Sequence, residues 1–123
     1  MQLDHIQLAI PPGGEERAIA FFAGPLAMKV VEKPEPLRSR GGCWFILGKA
    51  HLHLGVEQAF KPQRKAHPAF CVPDLDTLAS RLGDAGHDVL WDHALPDRKR
   101  FYTNDPFGNR IEFIQQGDGF LQR

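Results

Sequence analysis

Asp105-Pro106-Phe107-Gly108-Asn109-Arg110-Ile111-Glu112-Phe113-Ile114 is a turn that runs straight into a strand. Asp-Pro initiates a turn and Gly108-Asn109 offers the positive-φ positions that close one, so the chain reverses here and continues extended. Along the extended part Ile111 and Phe113 share one face, and Arg110, Glu112 and Ile114 the other. A carboxylate in mid-strand is unfavourable by propensity and by burial, so Glu112 is either in water or held by a cation. A metal ion is one such cation, and the rest of the chain supplies partners for it.

Upstream of this turn lie a short strand, Phe101-Tyr102-Thr103, a basic loop from Asp92 to Arg100, and another strand at Val89-Leu90-Trp91. Before them Leu75, Leu78 and Leu82 fall at helical spacing behind Pro73-Asp74, with Asp74 as the cap and Ala85-Gly86 as the stop. His67 to Val72 reads as a strand with Phe70 and Val72 on one face and His67, Ala69 and Cys71 on the other; Pro68 suits an edge or a strand end.

The first half repeats that order. Ile6, Leu8 and Ile10 alternate with His5, Gln7 and Ala9 until Pro11-Pro12-Gly13-Gly14 ends the strand. From Glu15 the period becomes helical through Ala18, Ile19, Phe22 and Leu26, predicting a helix to Phe22 or Ala23 that breaks at Gly24-Pro25. A strand at Met28 to Glu32, a loop at Lys33 to Gly42, a strand at Cys43 to Leu47 and a strand at His51 to Val56 follow, the last with His51 and His53 on one face. Strand, helix, strand, loop, strand, strand thus occurs twice, a duplicated βαβββ unit. His5 maps onto His67 and His53 onto Glu112, both pairs about 60 residues apart. Module one spans about 1–60, a basic connector 61–65, module two about 66–116, and a short C-terminal tail completes a single domain over 1–123.

Composition sets the limits. A chain of 123 residues with 42% hydrophobic content, nine Phe and two Trp supports one packed globule. Fifteen basic residues balance fifteen acidic ones, which gives no argument for nucleic acid or membrane partners. Cys43 and Cys71 lack metal-type spacing and make no disulfide framework, so a reducing, cytoplasmic setting is expected. The N-terminus has no leader pattern, and no run approaches the ~18 apolar residues of a membrane span.

One sheet face carries His5, Gln7, His51, His53, His67, Arg110 and Glu112. Singly, each has a bland reading: His51, His87 and His93 as surface histidines, Glu112 as the partner of Arg110 or a basic loop. Together, four imidazole or carboxylate groups at pseudo-equivalent positions favour a metal site. Two histidines and a carboxylate form a facial set that leaves coordination positions open, which suits a catalytic rather than a structural ion.

These residues resemble the vicinal-oxygen-chelate family, which includes glyoxalase I, extradiol dioxygenases, methylmalonyl-CoA epimerase, fosfomycin-resistance thiol transferases and bleomycin-resistance proteins. The resemblance covers residues 3 to 115 and rests most on Leu3 to Ile10, on His67, and on Phe101 to Phe113. It implies an α+β fold in which the two modules form a cupped, mixed eight-stranded sheet with helices on the convex side. It also implies one divalent metal ion, Fe, Mn, Ni, Co or Zn, on His5, His67 and Glu112, with His53 as fourth ligand or base. Glyoxalases and the epimerase have Glu or Gln where His53 stands, so proton transfer here would fall to an imidazole.

Catalytic roles are therefore expected for Glu112 and His53, and substrate contacts for Gln7, Trp44, Tyr102, Arg98 and Arg100. Trp44 and Tyr102 would form an apolar wall, with the core as the alternative place for either. Arg38, Arg40, Arg98, Lys99 and Arg100 lie in the two pseudo-equivalent loops; on the rim of the cup they would favour an anionic small molecule, and otherwise they are solvated. Tyr102 matches a substrate-contacting residue of the fosfomycin enzymes, but Gln7 replaces a Thr and Arg98-Lys99-Arg100 a Ser-rich loop, which argues against fosfomycin transfer. The resulting expectation is a metalloenzyme with lyase or isomerase chemistry, and a homodimer by analogy. The alternatives are a ferrous dioxygenase and a metal-free, drug-sequestering protein of the bleomycin-resistance type.

Overall fold

The computed structural model describes residues 1–117; the expected C-terminal tail lies outside them. Eleven elements follow in the order β1 (Ile6–Ile10), α1 (Glu15–Phe22), β2 (Lys29–Val31), α2 (Glu35–Arg38), β3 (Cys43–Leu47), β4 (Ala50–Val56), β5 (Ala69–Val72), α3 (Leu75–Asp84), β6 (Leu90–Asp92), β7 (Arg100–Asn104) and β8 (Arg110–Gln115). The strands form two four-stranded sheets, ordered β1-β4-β3-β2 and β5-β8-β7-β6. The second order is the first shifted by four, so the βαβββ duplication is present in the topology. In each sheet the first and last strands of the module run parallel, and the other neighbours are antiparallel. The eight strands are thus mixed, as expected, but hydrogen-bonded as two separate sheets.

Register reproduces the repeat residue by residue. Gln7 lies opposite His53 in the first sheet and Ala69 opposite Glu112 in the second, each two positions after a histidine. Both His5 and His67 stand just ahead of their strands, because Pro68 delays β5 and β1 begins only at Ile6. The alternate faces of all the long strands feed one hydrophobic core drawn from both halves, with Ile10, Phe22, Phe45 and Leu52 from the first and Leu75, Leu82, Phe101 and Ile111 from the second. Helix α1 buries Ala18, Phe21 and Phe22 and packs on β3; α3 buries Leu75, Leu78 and Leu82 and packs on β8. Asp74 caps α3 as expected, its carboxylate accepting from Thr77 N at 3.1 Å.

Two local expectations change. The loop from Lys33 contains a single helical turn, α2, where Pro34 and Pro36 set the φ that a helix start requires. Arg100 leaves the basic loop and opens β7, which turns its side chain to the same face as Tyr102.

Gly42 shows how tightly the halves of the first sheet are set. Its φ is +81°, and a Cβ there would run into the carbonyl oxygen of Leu54. Gly42→Ala is expected to destabilise the protein by at least about 2 kcal/mol, read as a lower urea midpoint with unchanged slope.

Candidate metal centre

In the first sheet β4 and β3 place His53 directly opposite Trp44, and β4 and β1 place it opposite Gln7. The rings of Trp44 and His53 stack at 3.7 Å between centroids and 3° between planes; His5 covers the other side of His53 at 4.0 Å and 21°. His53 is therefore sandwiched, and only its edge is open to chemistry. Burial, reinforced by His5 beside it, holds its imidazole below the usual histidine range, so the ring favours its neutral, proton-accepting form. His5 points Nδ1 at Asp4 Oδ2, 2.8 Å away, an orienting carboxylate of the kind that leaves Nε2 for a metal. The same contact, led by the hydrogen bond from His5, lowers the carboxyl of Asp4. Gln7 reaches over Gly55, whose missing side chain leaves room for its amide.

In the second sheet Glu112 is buried in mid-strand, 6% exposed, and is held at both oxygens. Oε1 lies 2.9 Å from His67 Nε2, and Oε2 accepts from Arg100 Nη1 at 3.2 Å. The cation visible beside the carboxylate is thus Arg100, from the end of the basic loop rather than Arg110. Arg100 also donates to the Tyr102 hydroxyl at 3.1 Å and to Asp92 Oδ2 at 3.1 Å. Arg110 lies over the Tyr102 ring, 3.9 Å from its centroid. Arg98 is half-buried and lines, with Arg100 and Trp91, a small surface pocket of about 530 Å³.

The donor set fits a metal on two counts. His67 Nδ1 faces the carbonyl of Lys65 at 2.8 Å and Nε2 faces Glu112, so both nitrogens meet acceptors and a proton must occupy the Nε2–Oε1 contact. A cation can take that proton's place. The 2.9 Å separation also matches two adjacent ligands of a divalent ion, since bonds of about 2.1 Å at right angles put their ends about 3.0 Å apart.

The four expected ligands are nevertheless grouped in two pairs, His5 with His53 and His67 with Glu112. Among the described residues no three His, Cys, Asp or Glu side chains come together closely enough to hold an ion. His5 and His67 both line a cleft of about 1110 Å³ that runs between the halves, with Ile6, Leu26, Met28, Phe70 and Val72 forming much of its apolar wall. Trp44 and Tyr102 face away from the core, at matching positions opposite His53 and Glu112. Sequence reasoning left Asp4, Asp92 and the Arg110–Tyr102 contact without a role. Asp4 adjoins His5 in the chain and could have been found; the contacts of Asp92 and Arg110 depend on strand pairing and could not.

The model of the Glyoxalase/Bleomycin resistance protein/Dioxygenase superfamily matches residues 2–113. The chain belongs to this superfamily. Among solved structures of the superfamily, a glyoxalase-family protein from Bacillus anthracis is 49% identical, with a TM-score of 0.92 over 95% of this chain and 96% of that one. The lactoylglutathione lyase of Agrobacterium tumefaciens shares the glyoxalase-type fold at 18% identity, with a TM-score of 0.68 over 89% of this chain and 91% of that one. The fosfomycin resistance protein FosX of Listeria monocytogenes shares it at 13% identity, with a TM-score of 0.75 over 95% and 94% of the two chains. A search of curated proteins finds no match. No helix among the described residues is long and apolar enough to cross a membrane.

Proposed function

We propose that this chain is a metal-dependent enzyme of the superfamily, acting on a small anionic molecule by proton transfer, with each centre completed by a second copy of the chain. The observation that carries the reading is the division of the ligands: His67 and Glu112 are already spaced as neighbouring ligands, while His5 and His53 form a separate, complementary pair. Strands β1 and β5 are sheet edges, and the apolar cleft beside them lacks a cover from the described residues. Open edges and apolar clefts are what symmetric association covers. In a two-fold dimer each centre would take His67 and Glu112 from one copy and His5 and His53 from the other.

His5, His67 and Glu112 would hold a divalent ion, which when bound would supply Lewis-acid chemistry to substrate oxygens. The chain supplies the remainder. His53, kept neutral between Trp44 and His5, accepts a proton at its open edge. Trp44 and Tyr102 bound the substrate with flat apolar surfaces, and Gln7 offers an amide beside His53. Arg98 and Arg110 give the second half a positive character suited to a carboxylate or a similar anion. This favours lyase or isomerase chemistry over dioxygenation, for which no residue beyond the shared ligands speaks.

Mixed chains test both parts. After reconstitution with Fe, Mn, Ni, Co or Zn, the wild type is expected to hold one ion per chain, and His5→Ala and Glu112→Gln to hold little or none. Unfolding and refolding the two variants together should restore about a quarter of the wild-type content, because random two-fold pairing leaves one intact centre in half of the dimers. No recovery would place the centre within one chain. No metal in the wild type would favour a sequestering protein instead.

A further inference from the structure

Glu112 has two oxygens, and the fold commits them to different partners. Oε1 faces His67, while Oε2 is taken by Arg100 Nη1. Arg100 is not free to leave: its other terminal nitrogen is held by Asp92 at 3.1 Å, and Nη1 also reaches the Tyr102 hydroxyl. Strand pairing makes the arrangement, since Asp92 lies opposite Arg100 on β6 and β7, and Tyr102 opposite Glu112 on β7 and β8. A chain of contacts, Asp92 to Arg100 to Glu112 to His67, therefore ends at the ligand position.

Resting on the metal centre proposed above, we infer that Arg100 is a positioning residue, not a substrate contact: it holds Oε2 back and presents Oε1 alone to the ion. A guanidinium beside a metal ligand has two opposed effects, repelling the cation and fixing the ligand. Asp92 decides between them. Its carboxylate offsets the charge of Arg100 at contact distance, so the repulsion felt at the ion is small and the orientation is what remains. Lysine could not do the same work, because one ammonium cannot bridge Asp92, Tyr102 and Glu112 in a fixed plane.

The test is a Co²⁺ titration of the full chain, followed by the visible absorption of the bound ion, for wild type, Arg100→Met, Arg100→Lys and Asp92→Asn. Circular dichroism checks folding. Arg100→Met is expected to weaken Co²⁺ binding about 10- to 100-fold, as loss of an orienting partner does, and to change the absorption bands because a second Glu112 oxygen becomes available. Arg100→Lys and Asp92→Asn should move both readouts in the same direction by less. A folded Arg100→Met with wild-type affinity and bands overturns the positioning role and leaves the metal centre standing. If that variant does not fold, Asp92→Asn decides by the same criterion. A wild type that takes up no Co²⁺ overturns both.

Discussion

Glu112→Gln should fold normally and lose metal binding by a factor of at least ~100, beyond the usual effect of an outer-shell change. Glu112 is the only carboxylate among His5, His53, His67 and Glu112, so the amide removes the site's one anionic ligand while keeping its shape. Glutamine can still accept from Arg100 and pair with His67, which leaves the buried contacts filled. Alanine is the poorer probe. It strands Arg100 in a mostly buried position, and breaking a buried ion pair from one side costs about 3–5 kcal/mol. Equilibrium dialysis against Co²⁺ or Mn²⁺, with thermal unfolding alongside, separates the two effects. Wild-type affinity in a folded Glu112→Gln would remove the carboxylate from the ligand set.

Asn109→Ala should damage the fold severely while leaving the candidate ligands untouched. Asn109 is 1% exposed and its amide binds three segments: Oδ1 accepts from Gln63 N at 3.0 Å, and Nδ2 donates to Ala9 O and to Asp105 Oδ2, both at 2.8 Å. The connector, the end of β1 and the turn before β8 are joined at this one side chain. After truncation the exposed Gln63 N–H can return to water, but Ala9 O and Asp105 Oδ2 are left short of a partner, at about 1–3 kcal/mol for each group. The expected loss, on the order of 2–5 kcal/mol, is a large share of the ~5–15 kcal/mol that holds a domain together.

The deficit should also depend on pH. Burial pushes the Asp105 carboxyl up, against the hydrogen bonds from Asn109, Phe107 and Gly108 that lower it. A raised folded value means that the folded state keeps the proton longer, so stability falls as pH rises through it. Removing the Asn109 amide raises it further. Urea unfolding of Asn109→Ala against wild type should therefore show a smaller gap in acid than at neutral pH, and a gap independent of pH would count against this role for Asp105.

Asn109 also shows where the sequence stops being legible. The Asp-Pro-Phe-Gly-Asn stretch is rightly a turn, but the positive φ falls on Gly108 at +94°, and Asn109 is a buried hub instead. Turn chemistry is local and can be read from neighbours; the partners of Asn109 come from 46 and 100 residues away. The same division runs through the site. Alternation and the duplication put His5, His53, His67 and Glu112 at matched positions, and the register opposite Gln7 and Ala69 agrees. Periodicity says which face a side chain takes but not how far apart two sheets sit, so it could not separate the four into two pairs. Arg100 falls in the same gap: a basic loop predicts charge near the cup, whereas the pairing of β7 with β6 and β8 turns that charge onto Glu112.

The stacked Trp44 and His53 rings carry one more consequence, an optical one. An indole in face-to-face contact with an imidazole loses much of its emission when the imidazole becomes cationic, because the charged ring accepts an electron from the excited indole. Trp91, the other tryptophan, sits against Phe101 and Lys99 on the far sheet, and among the described residues no histidine ring stacks on it. The emission of Trp44 is thus a reporter, written into the fold itself, of whether His53 carries a proton.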